Sequence, residues 1–239
     1  MDKASAMRII IPITDYKLID LTHTLTKTIP SWDGGCGFHN EIKLDYADSD
    51  DEISFRVQQI KMHAGIGTHM DAPSHCIKNG QSIHELESKQ FIAPCVRIDC
   101  SAKADASYSL SIDDILEFEQ QYGNIPTGCF VIIYTGWERY WFEPEQYRNN
   151  YVFPSISKPA IEKLLEKDIV GIGIDTLSPD RPGDNYPVHQ QVLSRGKYII
   201  ENVANAMQLP AIGAYTLAFP LKIEHGTEAP LRFMGLVPP

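Results

Sequence analysis

Apolar positions along this chain fall into two kinds of run. Residues 129 to 135 (CFVIIYT) and 169 to 174 (IVGIGI) are apolar almost without interruption. That pattern predicts strands covered on both faces. Residues 92 to 99 and 211 to 219 are further strand candidates. Ile53, Phe55 and Val57 alternate with polar residues, which predicts a half-buried strand beginning near Ile53. Helical segments announce themselves by their caps. Ser111 followed by Asp114 resembles a capping box, and Gly123 supplies the stop. Between them Ile112, Ile115 and Leu116 predict an apolar face, with Glu119 on the polar one. Ser157 opens a second helix with Pro159 in its first turn and Ile161, Leu164 and Leu165 along one side. Strands alternating with helices predict an α/β or mixed fold. The helices are too few for a TIM barrel, which needs eight.

The 239 residues suit one α/β domain spanning 1–239, with no internal repeat or long linker. Residues 44 to 52 (LDYADSDDE) read as an acidic, solvated loop. Residues 178 to 187 (SPDRPGDNYP) read as a loop or lid. The formal net charge of −10, with no cluster of Lys and Arg, argues against nucleic acid as a partner. The five cysteines contain no CxxC pair, so reduced, buried thiols in a cytoplasmic protein are expected. The early apolar run from Ile9 to Ile13 is too short for a signal-peptide core or a membrane span, so no membrane partner is expected.

Candidate chemistry concentrates in His63-Ala-Gly-Ile-Gly-Thr-His69-Met-Asp71-Ala-Pro-Ser-His75. In extended backbone, residues two apart point the same way, so His69 and Asp71 could address one cation together. Imidazole plus carboxylate suits zinc, manganese or iron. His75, beyond a proline, could stand beside the metal without binding it. There a neutral imidazole takes a proton from attacking water and returns it to a leaving group. Against this stands the plain reading of structural or surface histidines. A second group, His189 ahead of a short helical stretch and Glu201 closing the apolar run 198 to 200, adds two further donors, which could equally be surface residues.

Together these segments resemble the cyclase-like metal-dependent hydrolase family, whose signature is His-x-Gly-Thr-His-x-Asp-x-Pro-x-His. Gly67, Thr68, His69, Asp71, Pro73 and His75 match it, and His189 and Glu201 match the twelve-residue spacing of a His and a Glu in the family's C-terminal third. Asp20-Leu21-Thr22, Thr135-Gly136-Trp137, Gly173-Ile174-Asp175-Thr176 and Phe219-Pro220-Leu221-Lys222 extend the likeness over nearly the whole chain. The resemblance implies a mixed α/β fold of the swivelling β/α type, with a partly open β-barrel and flanking helices. It also implies a homodimer or homotetramer. It makes His69 and Asp71 metal ligands, His189 and Glu201 the completion of a second metal position, and His75 the general acid/base. One or two divalent ions are implied, zinc first and manganese second. One position departs: the family's first histidine falls on Gly65. Either the glycine-rich loop bends so that His63 supplies the missing nitrogen, the preferred reading, or the site lacks that ligand.

Trp32 and Phe38, in and after a Gly-rich loop, could stack on an aromatic substrate or simply plug the core. Cys76 is a poor nucleophile candidate, because neighbours in extended chain point apart from His75. No Gly-x-Ser-x-Gly and no Walker A sequence occurs. The expected activity is hydrolysis of a small non-peptide amide, an N-formyl aryl amine or a cyclic amide. The alternatives are lactone or ester hydrolysis, a cyclisation, or small-molecule binding without turnover.

Overall fold

The computed structural model describes residues 12–35, 37–49 and 52–239. Residues 9–11 of the first apolar run, Cys36, and Asp50 and Asp51 of the acidic stretch lie outside the described residues. Twelve strands and four α-helices follow one another within them. In chain order they are β1 (Lys17–Asp20), β2 (Phe38–Leu44), β3 (Val57–Met62), β4 (His69–Asp71), β5 (Ile92–Asp99), β6 (Ser109–Leu110), α1 (Ile112–Tyr122), β7 (Phe130–Tyr134), α2 (Pro144–Arg148), β8 (Ser155–Ile156), α3 (Lys158–Leu165), β9 (Gly171–Ile174), α4 (Pro187–Leu193), β10 (Tyr198–Glu201), β11 (Ala214–Pro220) and β12 (Glu228–Val237).

Seven of these strands close into a barrel, in the order β12-β11-β5-β7-β9-β10-β4 with β4 pairing back onto β12. The expected mixed α/β barrel is therefore present, and the β4–β12 pairing closes it. Strands β5, β7, β9 and β10 are mutually parallel, joined by crossovers that contain α1, α3 and α4. The first residues of β12 pair with β4 and its last with β1.

The uninterrupted apolar runs are explained by two separate cores. Phe130, Ile132 and Tyr134 point into the barrel with Met70, Tyr198, Ile200 and Phe233. Val131 and Ile133 point outward with Ile172, Ile174 and Ile199, under Ile115 and Phe118 of α1, Ile161 and Leu164 of α3, and Val188 and Val192 of α4. Each such side chain, fully buried, contributes about 1.5–3 kcal/mol relative to exposure. Gly171 and Gly173 leave room where the rings of Phe130 and Tyr198 stack, centroids 5.4 Å apart.

Two expectations need correction. The strand expected from Ile53 begins at Val57, and Ile53, Phe55 and Val57 are 69%, 63% and 48% exposed. Strand β3 pairs with β2 in a two-stranded ribbon, which offers the alternation no core to bury against. In α1 the capping box forms as expected, with Ser111 Oγ accepting from the Asp114 N–H and the Asp114 carboxylate accepting from the Ser111 N–H. Its buried face is Asp114, Ile115 and Phe118, while Ile112 and Leu116 are exposed. The sheet beneath, not the tally of apolar residues, sets which stripe is covered. Helix α3 buries Ile161, Leu164 and Leu165 as expected. Among the described residues no helix is long and apolar enough to cross a membrane.

A Cβ at Gly171 would meet the Tyr198 carbonyl oxygen at 2.5 Å, and backbone cannot swing aside. Gly171→Ala is expected to lower the unfolding free energy by about 3 kcal/mol. Gly183→Ala, where a Cβ meets nothing within 4 Å, should change it by less than about 1 kcal/mol. Denaturant melts of the two variants against wild type check the contrast.

Candidate metal centre

The centre grows from three residues of β4. Met70 is fully buried in the barrel interior, so His69 and Asp71 necessarily face the other side of the wall. Strand β4 runs between β10 and β12, and the register sets Glu201 opposite His69 and Glu228 opposite Asp71. Three adjacent strands thus bring two carboxylates to flank the His-x-Asp pair. Helix α4 brings the fifth group, His189. It lies within the first turn of that helix and not ahead of it, a correction to the sequence reading, because Pro187 starts the helix two residues earlier. The His189 Nε2 lies 3.4 Å from Glu201 Oε1 and 3.7 Å from Asp71 Oδ2. The His69 Nε2 lies 3.4 Å from Glu201 Oε2 and 3.5 Å from Asp71 Oδ1.

Both imidazoles are held from behind. His69 Nδ1 is 2.9 Å from the carbonyl of Gly67, which turns at φ +62°, a conformation that favours glycine. The same carbonyl accepts from the Asn202 side-chain amide at 2.9 Å, and the Asn202 Oδ1 meets the Tyr147 hydroxyl at 2.9 Å. His189 Nδ1 is 2.8 Å from Asp180 Oδ2, and the same carboxylate accepts from the Val188 and His189 N–H groups at the start of α4. Acceptors behind Nδ1 leave each Nε2 lone pair for the cluster, the usual arrangement behind metal-bound histidines. Two further stretches of the family resemblance meet nearby. The buried Asp175 carboxylate accepts from the Thr135 N–H and hydroxyl and from the Trp137 N–H, tying β7 to β9.

The electrostatics call for a cation. Asp71 is 1% exposed, and neither of its carboxylate oxygens has a hydrogen-bond partner among the described residues. Two groups of donors lie within 4.8 Å of one another and share Asp71: His69, Asp71 and Glu228, and Asp71, His189 and Glu201. Burial, the largest influence on His69, pushes its pKa down, yet Glu201 and Asp71 outweigh it and hold the ring at about 10. His189 is likewise raised well above the ordinary histidine range, with Asp180 the foremost cause opposing burial. Burial would raise Glu201, and hydrogen bonds from His189 and His69 instead bring it down to about 2. The cluster therefore draws positive charge, and a divalent ion meets that demand with the same nitrogen and oxygen donors.

The other candidate residues divide. His75 stands at the rim on a short 3-10 turn, Nδ1 3.3 Å from Glu228 Oε2, its ring centroid 5.7 Å from that of His189. Glu228 keeps its pKa raised against the opposing effect of burial. Trp32 lines the cavity of about 510 Å³ in front of the cluster, with Tyr186 across from it. That volume suits a small molecule. Phe38 does not line it. It starts β2 and packs in a separate core with Ile29, Ile66 and Trp137, so the substrate-contact reading is corrected to packing. His63 lines the cavity but does not join either donor group; its ring lies against Gly37, where a Cβ would come within 2.9 Å of Nδ1. The buried Ile66 and the turn at Gly67 direct Gly65, and not His63, at the cluster. Cys76 is on the cavity wall, and burial pushes its thiol pKa up, away from nucleophilic use. Sequence reasoning missed Glu228 and Asp180. Neither sits in a motif: Glu228 is recruited by the pairing of β12 with β4, and Asp180 by the turn that brings the start of α4 back over it.

A closed mixed α/β barrel whose wall carries this cluster of histidines and carboxylates defines the class of protein, one with a donor set that could hold a metal ion. The chain belongs to the Cyclase family, whose model matches residues 19–181. It is 34% identical over 188 residues to isatin hydrolase of Roseibium aggregatum, covering 72% of this chain and 71% of that protein. It is 27% identical over 220 residues to kynurenine formamidase of Bacillus cytotoxicus, covering 90% and 94%. Among solved structures, an isatin hydrolase bound to the product analogue thioisatinate superposes with a TM-score of 0.86 at 30% identity, over 95% of this chain and 94% of that one.

Because Asp180 orients His189, Asp180→Asn keeps one of the two acceptors at the start of α4 yet loses the anionic acceptor behind His189. Divalent-metal affinity, read by chelator competition, is expected to fall about 10–100-fold. Unchanged affinity would reduce Asp180 to a helix cap.

Proposed function

We propose that this protein is a metal-dependent hydrolase of a small non-peptide amide, an N-formyl aryl amine or a cyclic amide. The observation that carries the reading is the buried carboxylate of Asp71, without a hydrogen-bond partner among the described residues and shared between two donor groups. The named activities of isatin hydrolase and kynurenine formamidase relatives support the amide class. His69, Asp71, His189 and Glu201 would hold one or two ions, zinc or manganese. When bound, the cation supplies Lewis acidity, polarising the scissile carbonyl and lowering the pKa of water.

The chain's own residues supply the remainder. His75, anchored through Nδ1 by Glu228, lines the cavity with Nε2 left for proton transfer. It takes a proton from the attacking water and delivers it to the leaving nitrogen as the C–N bond breaks, giving one carboxylate and one amine. Trp32 and Tyr186 offer ring faces to a flat, aromatic substrate. The five cysteines without a CxxC pair support a reducing, cytoplasmic setting, and the family resemblance supports a homodimer or homotetramer.

Metal removal by chelation is expected to abolish turnover of N-formyl aryl amines and cyclic amides, with recovery on adding zinc or manganese. His75→Ala should retain metal while lowering kcat about 10²–10⁴-fold; His69→Ala should lose metal and activity together. Turnover of esters with none of amides, across one panel, would reject the amide reading. Metal binding with no turnover of any substrate would favour a binding protein.

A further inference from the structure

Gly65 faces the cluster with no side chain, and its place is taken. A Cβ built there would lie 1.9 Å from Glu228 Oε1 and 3.3 Å from His69 Nε2. Whatever side chain stood at 65 would project into the space that the Glu228 carboxylate fills. That carboxylate arrives from β12, across the strand pair from Asp71. One of its oxygens lies within 4.8 Å of donors on both His69 and Asp71. Its Oε2 faces His75 Nδ1 at 3.3 Å.

We infer that Glu228 is the third protein ligand of the ion held by His69 and Asp71, standing where a side chain at Gly65 would otherwise reach. This rests on the metal-centre reading above and deepens it. A donor set of one imidazole and two carboxylates then forms on each side of Asp71, since Asp71, His189 and Glu201 have the same composition. An oxygen donor replaces the nitrogen that a histidine at 65 would bring, and one negative charge is added. Imidazole suits zinc, whereas carboxylate suits manganese and magnesium. The exchange therefore narrows the preference for zinc over manganese. It also joins the ligand set to the proton-transfer group, because the same carboxylate lies among the His69 and Asp71 donors and faces His75 Nδ1.

The test is a four-variant exchange on the full chain, read by metal content and by chelator-competition affinity for Zn²⁺ and Mn²⁺, with circular dichroism as the folding control. Glu228→Gln and Glu228→Ala are each expected to weaken binding at one position at least 10-fold. Glu228→Gln preserves shape and decides the matter if Glu228→Ala does not fold. Gly65→His alone should also weaken binding, because its ring meets the Glu228 carboxylate. The double variant Gly65→His with Glu228→Ala should bind better than either single variant, with the zinc-to-manganese affinity ratio raised about 10-fold over wild type. Wild-type metal content and affinity in Glu228→Gln, or a double variant no better than its singles, overturns the inference while leaving the hydrolase reading standing if His69→Ala still loses metal. A wild-type protein that takes up neither ion overturns both.

Discussion

The Asp71 carboxyl group is 1% exposed, and neither oxygen finds a hydrogen-bond donor among the described residues. Taking a carboxylate out of water costs several kcal/mol even after the protein relaxes around it. Two histidines with raised pKa values flank it, and two further carboxylates crowd the same face. Such a concentration of buried negative charge is stable when positive charge fills it. Protons on the imidazoles do so in part, and a divalent ion bound as proposed would do so through the donor atoms themselves. The barrel wall around Asp71 is built to meet this demand.

The wall meets it through strand pairing. A His-x-Asp pair on a three-residue strand faces outward because Met70 between them is fully buried inside. Placing β4 between β10 and β12 then sets Glu201 and Glu228 on the same face, one on each side. Helix α4, packed over the outer core through Val188 and Val192, delivers His189 from its first turn. Precision comes from acceptors behind the histidines: the Gly67 carbonyl, shared with Asn202, and the Asp180 carboxylate. These are rigid elements with few rotatable bonds between backbone and donor, the arrangement that holds a ligand atom in place.

Glu228 connects the two halves of the chemistry. Through one oxygen it occupies the space beside Gly65, and through the other it faces His75. Ligand geometry and the position of the proton-transfer group are thereby coupled in one side chain. The cavity in front has aromatic rings of Trp32 and Tyr186 on its wall and the charged cluster at its base. A flat substrate with one polar group fits that division of surface.

Period and caps were enough to find β5, β7, β9, α1 and α3, because strand alternation and helix capping are local physics. They were also enough to place His69 and Asp71 on one side of an extended segment, and the motif spacing paired His189 with Glu201. Local pattern failed where the partner was distant. Ile53 and Phe55 alternate like a buried strand, but the ribbon of β2 and β3 gives them nothing to cover. His63 was the nearest histidine in sequence, yet the turn at Gly67 aims Gly65 at the cluster instead. Phe38 lies six residues after Trp32 and is buried within the cluster that Trp32 packs against, so only Trp32 reaches the cavity. Glu228 and Asp180 carried no signal at all, since a lone carboxylate in a strand or loop looks the same whether it faces solvent or a cation. The chain's own order thus decided which residues could be ligands and how they alternate. Barrel closure decided which of them meet, because the β4–β12 pairing joins positions far apart in sequence and its register alone puts Glu228 opposite Asp71.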